Sequence, residues 1–367
     1  MKDDWLTIIN DSPRPAGSTN ERKVRKFLKR TISEEGFMPV IDTFSYPYWE
    51  LLSFSGLEML HPNRNTIKAY PAVGSGSSER VRGRLQFVGY TNIWDMYKWP
   101  RYAVVDSKGK PIGYITARPD GEALSQTLLE KWDLPHLIVG EAAHIQWKKW
   151  LKNNEEIKVD FSIQTKTEQR NDGENIKVSI PGKSTAGKIV IGAHYDSMYN
   201  TRGAYDNASG TALILNILRK AKTASFDFSI DFLFFGGEEL LLAGSSSYVE
   251  KLSSAEVKQI DLMLNIDGIG RGETLEWWSS MKASRLHSIV RSMENLFPAS
   301  EMLLPAPPGS DHSPFMMAEI EVLMLTVNDQ NIIHTEKDEP VEWMYRNMEK
   351  ITEVVWRLLH FLQKKDG

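Results

Sequence analysis

The sequence predicts an α/β fold: a mixed β-sheet flanked by helices, with a smaller, strand-rich inserted domain. The first observation is a set of four apolar runs in the second half of the chain, GKIVIGA, SIDFLFF, DLMLNI and EVLMLTV, which read as buried strands. The second is what separates them, since SGTALILNILRKA and SRLHSIVRSMENLF read as helices and strands alternating with helices make an α/β sheet. The third is a change of character from about Leu52 to Thr167, where short aromatic-rich strand candidates alternate with turns. With 367 residues, 41% of them hydrophobic, the chain is long enough for a second core, because single cores stop growing near roughly 250–300 residues. The expected division is a main domain of residues 1–51 and 168–367 and an inserted domain of residues 52–167.

Taken in order, Ser18, Thr19 or Asn20 caps a helix whose apolar positions Val24, Phe27, Leu28 and Ile32 share a face, and Gly36 ends it. Within the insert, RLQFVGY and RYAVVD read as strands, SKGKP and RPDGE as turns, and GSGSSER from Gly74 as a loop. LPHLIVGEAAHIQWKKWL reads as a strand leading into a helix, and the alternating IKVDFSIQT as a returning strand. The polar segment TEQRNDGEN then divides this region from the regular α/β pattern. Met344, Met348, Ile351, Val355, Leu358 and Leu362 recur at helical spacing, which makes the C-terminus a long helix covering one face of the sheet. Trp94, Trp99, Trp132, Trp147 and Trp150 concentrate in the insert, where core packing is their default role.

Composition removes several classes of function. A net charge of −4 with both signs mixed gives no basic field for nucleic acid, and no run approaches the ~18 apolar residues of a membrane span. There is no cysteine, hence no disulfide and no thiol nucleophile. The start MKDDWLTIINDSPRPAG is acidic where a signal peptide is basic, so a cytoplasmic protein is expected. Gly268, Gly270 and Gly272 imitate part of a dinucleotide loop, but their spacing and the following strand-like TLEWWSS argue against it. No G-x-S-x-G is present, so a serine nucleophile elbow is missing.

Five residues remain as metal-ligand candidates: His194 in GAHYDS, Asp206 in AYDNASG, Glu239 in FFGGEEL, Asp267 in LNIDGIG and His334 in IIHTEKD. Two imidazoles and three carboxylates suit zinc, and one carboxylate can bridge a metal pair. Ligands of open α/β sheets collect beyond the carboxyl ends of the strands, and His194, Glu238 with Glu239, and Asp267 each follow a strand candidate. Any one of them alone reads as a cap or a turn; their joint occurrence does not.

These residues resemble the co-catalytic zinc aminopeptidases and their relatives, which include glutamate carboxypeptidase II. The family's H-x-D reads His194-Tyr195-Asp196, its D-N-x-S-G reads Asp206 to Gly210, its G-E-E reads Gly237-Glu238-Glu239, its strand-end Asp is Asp267, and its H-T-x-x-D is His334 to Asp338. SDHSPF from Ser310 and RPAGSTNE from Arg14 also look like family segments, and the insert is similar, more weakly, to a protease-associated domain. The resemblance implies a zinc exopeptidase-like fold holding two Zn2+ ions per chain, with Co2+ or Mn2+ as alternatives. Asp206 would bridge them, His194 and Asp267 would complete one site, and Glu239 and His334 the other. Glu238 would be the general base, and Asp196 would fix the tautomer of His194.

Many family members carry a tyrosine that steadies the tetrahedral intermediate, at positions that are Ile333 and Pro307 here. His312, Tyr199 and Tyr205 are the substitutes to consider. The expected activity is aminopeptidase action on a peptide substrate, with no nucleic-acid or membrane partner and with homo-oligomerisation left open. The alternatives are a dipeptidase or glutamate-type carboxypeptidase, a glutaminyl cyclase-like acyltransferase with a single zinc, and a non-enzymatic receptor-like scaffold. A carboxypeptidase needs a cation, for which Arg202 and Arg271 are nearest in sequence to the motifs.

Overall fold

A computed structural model describes residues 1–93, 97–129, 133–184, 187–327, 329 and 331–363. Trp94 and Trp132 lie outside the described residues. The four apolar runs form the strands Lys188–His194, Ser229–Phe235, Ile260–Ile266 and Val322–Thr326. They are parallel, with Lys188–His194 between Ser229–Phe235 and Ile260–Ile266, and Val322–Thr326 beyond the latter. Both faces are covered, so the strands need no polar alternation and Val322–Thr326 is buried throughout. Antiparallel neighbours flank this block, Leu275–Ser279 on one side and Lys158–Ile180 on the other, which makes the sheet mixed.

Helix Ala208–Ala221 packs on the parallel strands with an almost wholly buried surface. Its cap Asn207 accepts a hydrogen bond from the Gly210 amide at 2.9 Å. Gly210 lies so close to the Ile266 carbonyl that any Cβ would strike it, which brings the start of this helix against the end of a strand. The C-terminal helix Glu342–Gln363 buries Met344, Met348, Ile351, Val355 and Leu358, the positions expected from helical spacing. Near the N-terminus, Ser18 accepts from the Glu21 amide at 3.1 Å and starts helix Thr19–Glu34, which buries Val24, Leu28 and Ile32. A preceding helix, Lys2–Asn10, was not legible as one. It is anchored by Trp5, whose indole donates to the Ala204 carbonyl at 2.8 Å.

The polar segment TEQRNDGEN, expected to divide the two regions, is continuous strand. It is the middle of the 23-residue strand Lys158–Ile180, which pairs antiparallel with Val40–Phe54. This ribbon buries Phe44, Tyr46 and Tyr48 on one face and leaves Glu168 and Gln169 in water, so its sequence is polar without being loop. The Arg170 guanidinium lies 3.4 Å from the centre of the Tyr48 ring.

Lys158–Ile180 also joins the two halves of the molecule. Its first part pairs with Ser78–Ile93 of the insert and its last part with Ser229–Phe235. Among the described residues, fifteen strands thereby share one sheet. The apolar residues nevertheless gather in separate clusters, one around Ile191, Leu213 and Phe232 and one around Leu57, Tyr102, Trp147 and Phe161. The boundaries expected after residues 51 and 167 fall inside the two ribbon strands. Among the described residues no helix is long and apolar enough to cross a membrane.

Candidate metal centre

Because the parallel strands lie side by side, their carboxyl ends present His194, the Gly236-Gly237-Glu238-Glu239 turn and Asp267 along one edge. Asp206 precedes the cap of helix Ala208–Ala221, through a cis peptide to Asn207. His334 arrives from the loop after Val322–Thr326, with a left-handed φ of 58°.

All five ligand candidates and Glu238 meet in one buried cluster. Asp206 sits between the histidines, Oδ1 3.1 Å from His194 Nε2 and Oδ2 3.2 Å from His334 Nε2. On one side, His194 Nε2 is 3.3 Å from Asp267 Oδ1 and 3.9 Å from Glu238 Oε2. On the other, His334 Nε2 is 3.2 Å from Glu239 Oε2. The groups His194, Glu238, Asp267 and Asp206, Glu239, His334 each bring their donor atoms within 4.8 Å of one another. Glu239 Oε1 and His194 Nδ1 are buried without a hydrogen-bond partner. Four carboxylates, two imidazoles and such orphaned atoms fit divalent cations, since a buried carboxylate cluster needs compensating charge.

The electrostatics say the same. Burial opposes protonation of His194, yet the Asp267 and Glu238 carboxylates outweigh it and hold its pKa well above the usual value. His334 is raised likewise, against burial, by Glu239 and Asp206. Burial pushes Glu238 well above the carboxylate range despite His194, and raises Glu239 despite His334. Burial also acts on Asp206, but hydrogen bonds from both histidines hold it well below that range. His194, His334 and Glu238 thus favour keeping protons, which is the pattern of a cluster whose negative charge calls for a bound cation.

Around this cluster, Asp196 is fully buried with Oδ1 3.6 Å from His194 Nδ1, beyond hydrogen-bond reach. Its oxygens instead accept from the amides of Glu238 and Glu239 at 3.2 and 3.3 Å, so it holds the turn that carries both glutamates. Ser310, the first residue of SDHSPF, donates to Asp267 Oδ2 at 2.5 Å. Asp338 accepts from the amides of Tyr205 and Asp206 at 2.7 and 3.0 Å, and burial pushes its carboxyl up to about 7. Arg14, wholly buried, donates to the carbonyls of Tyr195, Arg202 and Gly203 and so ties down the loop between His194 and Asp206. Ser310 and Arg14 lie in segments already singled out by resemblance. No motif marked Ser125 and Thr127 of the insert, whose backbone and hydroxyl reach His334 and Glu239.

None of the three substitutes for the missing tyrosine offers a free donor. Tyr199 donates to the Pro71 carbonyl and Tyr205 to the Val327 carbonyl, both at 2.7 Å. His312 Nε2 donates to the Pro307 carbonyl at 2.8 Å, and burial lowers its pKa to about 4, so the neutral ring presents a lone pair at Nδ1. Arg202 and Arg271 are turned elsewhere: Arg202 pairs with Glu339 at 3.1 Å, and Arg271 approaches Asp329 at 3.7 Å beside a different cavity.

Asp206, Glu238, Glu239, Asp267 and His334 of the carboxylate–histidine cluster line a cleft enclosing about 160 Å³. Ile93, Tyr97, Trp99 and Leu124 from segment 52–167 also line it, together with Trp278 and Met324 from the rest of the chain. Trp99 lines the cleft and is at the same time packed in a buried apolar cluster with Ile93, Leu124 and Leu128, while Trp147 lies in the core around Tyr102 and Phe161.

An α/β fold carrying two adjoining carboxylate–histidine clusters defines the class to which the chain is compared. Residues 175–359, half of the chain, match peptidase family M28, and the chain belongs to that family. Aminopeptidase YwaD of Bacillus subtilis is 44% identical over 82 residues, 22% of this chain and 18% of that protein, so the chain matches less than a fifth of this relative's length. The aminopeptidase of Aneurinibacillus sp. strain AM-1 superposes with a TM-score of 0.75 at 18% identity, covering 100% of this chain and 94% of that one. BSAP, a zinc aminopeptidase from Bacillus subtilis, gives a TM-score of 0.68 at 19% identity over 97% and 94% of the two chains. At these identities the superpositions show a shared mixed α/β fold.

Proposed function

We propose that the chain is a two-zinc aminopeptidase. The observation that carries this reading is Asp206, whose oxygens lie 3.1 and 3.2 Å from two histidines that each have a further carboxylate beside them. Asp206 would bridge the ions, with His194 and Asp267 on one and Glu239 and His334 on the other. A divalent pair supplies carbonyl polarisation and lowers the pKa of water. Glu238 then takes a proton from the attacking water and passes it to the leaving amine as the C–N bond breaks. Asp196 holds the turn on which Glu238 and Glu239 stand. The segment 52–167 is read as a protease-associated-like inserted domain, supported by its separate core.

The choice of peptide end follows from charge. The cleft floor is rich in carboxylates that favour a free α-ammonium, and among the described residues lining it there is no lysine or arginine to hold a terminal carboxylate. The apolar walls suit an apolar first side chain. A panel of dipeptides tests this: N-acetylation should abolish hydrolysis and C-terminal amidation should be tolerated. The reverse pattern, with Arg202→Ala or Arg271→Ala raising KM, identifies a carboxypeptidase instead.

A further inference from the structure

The two halves of the metal cluster are built from different parts of the chain. His194 ends strand Lys188–His194, and its carbonyl accepts from Thr211 Oγ1 of helix Ala208–Ala221 at 2.6 Å, both outside segment 52–167. His334 is held by the insert. Its carbonyl accepts from the Ser125 amide at 3.0 Å, and its Nδ1 lies 3.1 Å from the Ser125 carbonyl. A carbonyl only accepts, so Nδ1 carries a hydrogen, which leaves Nε2, 3.2 Å from both Asp206 and Glu239, as the nitrogen that would give up its proton and offer its lone pair to a bound cation. One residue of the insert thereby sets both the position and the tautomer of His334.

The surroundings reinforce this pairing. Ser125 Oγ donates to Asn200 Oδ1 at 2.5 Å, and Asn200 Nδ2 donates to the His334 carbonyl at 3.1 Å. Two residues on, Thr127 Oγ1 donates to the Glu239 carbonyl at 2.6 Å. On the outside, Lys68 reaches Glu336 at 2.8 Å, Tyr70 donates to the same carboxylate, and Lys337 reaches Glu122 at 2.6 Å. Each of these exposed pairs is weak alone, but together they latch the 334–337 loop to the insert from both sides.

We propose that the insert is a positioning element for one of the two metal sites: Ser125, backed by the Lys68–Tyr70–Glu122 latch, orients His334, so the Asp206–Glu239–His334 site depends on docking of the insert while the His194–Asp267 site does not. This rests on the two-ion reading above. It assigns a metal-orienting role to a segment that contributes no ligand, through a contact of the kind that tunes metal affinity by roughly 10–100-fold.

The test compares wild-type protein with three variants in a zinc-buffered solution, reading zinc per chain, the free zinc needed to fill each site, and the melting temperature after chelation. Ser125→Pro removes the amide that donates to His334, Ser125→Ala removes only the hydroxyl, and Lys68→Ala/Tyr70→Phe/Glu122→Ala opens the latch without touching the loop. The expected result is two zinc ions in wild type. In Ser125→Pro and the latch variant one site should be weakened about 10–100-fold, with the other unchanged and excess zinc restoring the second ion. Ser125→Ala should have the smaller effect. If Ser125→Pro does not fold, with its chelated melting transition lost, the latch variant decides alone. Two equally tight ions in the folded variants, or loss of both ions in step, overturns the inference and leaves the two-ion reading standing. A single ion in wild type overturns both.

Discussion

Glu238 and Glu239 are neighbours in sequence to which the proposed mechanism gives different tasks, and the difference is measurable. Glu239 faces His334 at 3.2 Å, whereas Glu238 stands 3.9 Å from His194 Nε2, at the edge of its group. Glu238→Gln is expected to keep both ions and lose turnover by roughly 10²–10⁴, the effect of deleting a proton shuttle. Glu239→Gln should lower zinc content instead; the opposite behaviour of the pair reverses the assignment. Asp196→Asn should weaken affinity or rate about 10–100-fold through the turn, because two amides lose a charged acceptor. That the ligand candidates belong together was legible because His194, Glu239 and Asp267 follow apolar runs and all five sit in recognisable motifs. Ser125 was not, because its contact with His334 runs through its backbone across 209 residues, and a carbonyl leaves no mark on residue identity. The tyrosine substitutes failed for a related reason: sequence offers the hydroxyl but not the carbonyl that already occupies it.

Among the elements, the parallel strands and their helices were legible from apolar runs and helical spacing, and the ribbon was not. Val40–Phe54 and Lys158–Ile180 expose one face along much of their length, so their polar stretches imitate a linker. Helix Thr19–Glu34 carries a pH-dependent cost into this region. Burial pushes Glu21 up to about 7 from an ordinary 4.5, although Arg25 stands 3.1 Å away. Between those two values the folded chain keeps a proton that the unfolded chain has released. Stability therefore falls as pH rises through that window, by at most about 1.4 kcal/mol per pH unit from this group. Urea unfolding of chelator-treated protein should show a shallower pH dependence in Glu21→Gln than in wild type; equal slopes contradict the account. At the cap of the same helix, Ser18→Ala should cost about 1 kcal/mol by the same measurement, since it removes the acceptor for the Glu21 amide.

At the scale of the whole molecule, segment 52–167 does more than line the cleft. It contributes Ile93, Tyr97, Trp99 and Leu124 to the cleft lining and a Ser125 contact to His334, while Ser78–Ile93 pairs with the Lys158–Ile180 strand that continues into the main sheet. Trp99→Ala should therefore act mainly on KM for dipeptides with an apolar first residue, with zinc content unchanged; a loss of zinc places Trp99 in the support of the site. A change in strand character near Leu52 was legible, but the joining of the two largest apolar clusters through one long ribbon was not, because pairing across that distance leaves no local pattern. The whole arrangement turns on Asp206, which stands between the two histidines. The most direct measurement is the zinc content of wild-type and Asp206→Ala protein purified without chelator and shown to be folded. Two equivalents in wild type and loss of both together in the variant is the result expected of a bridging carboxylate. One equivalent in a fully active wild type, or a folded variant that keeps two, contradicts it.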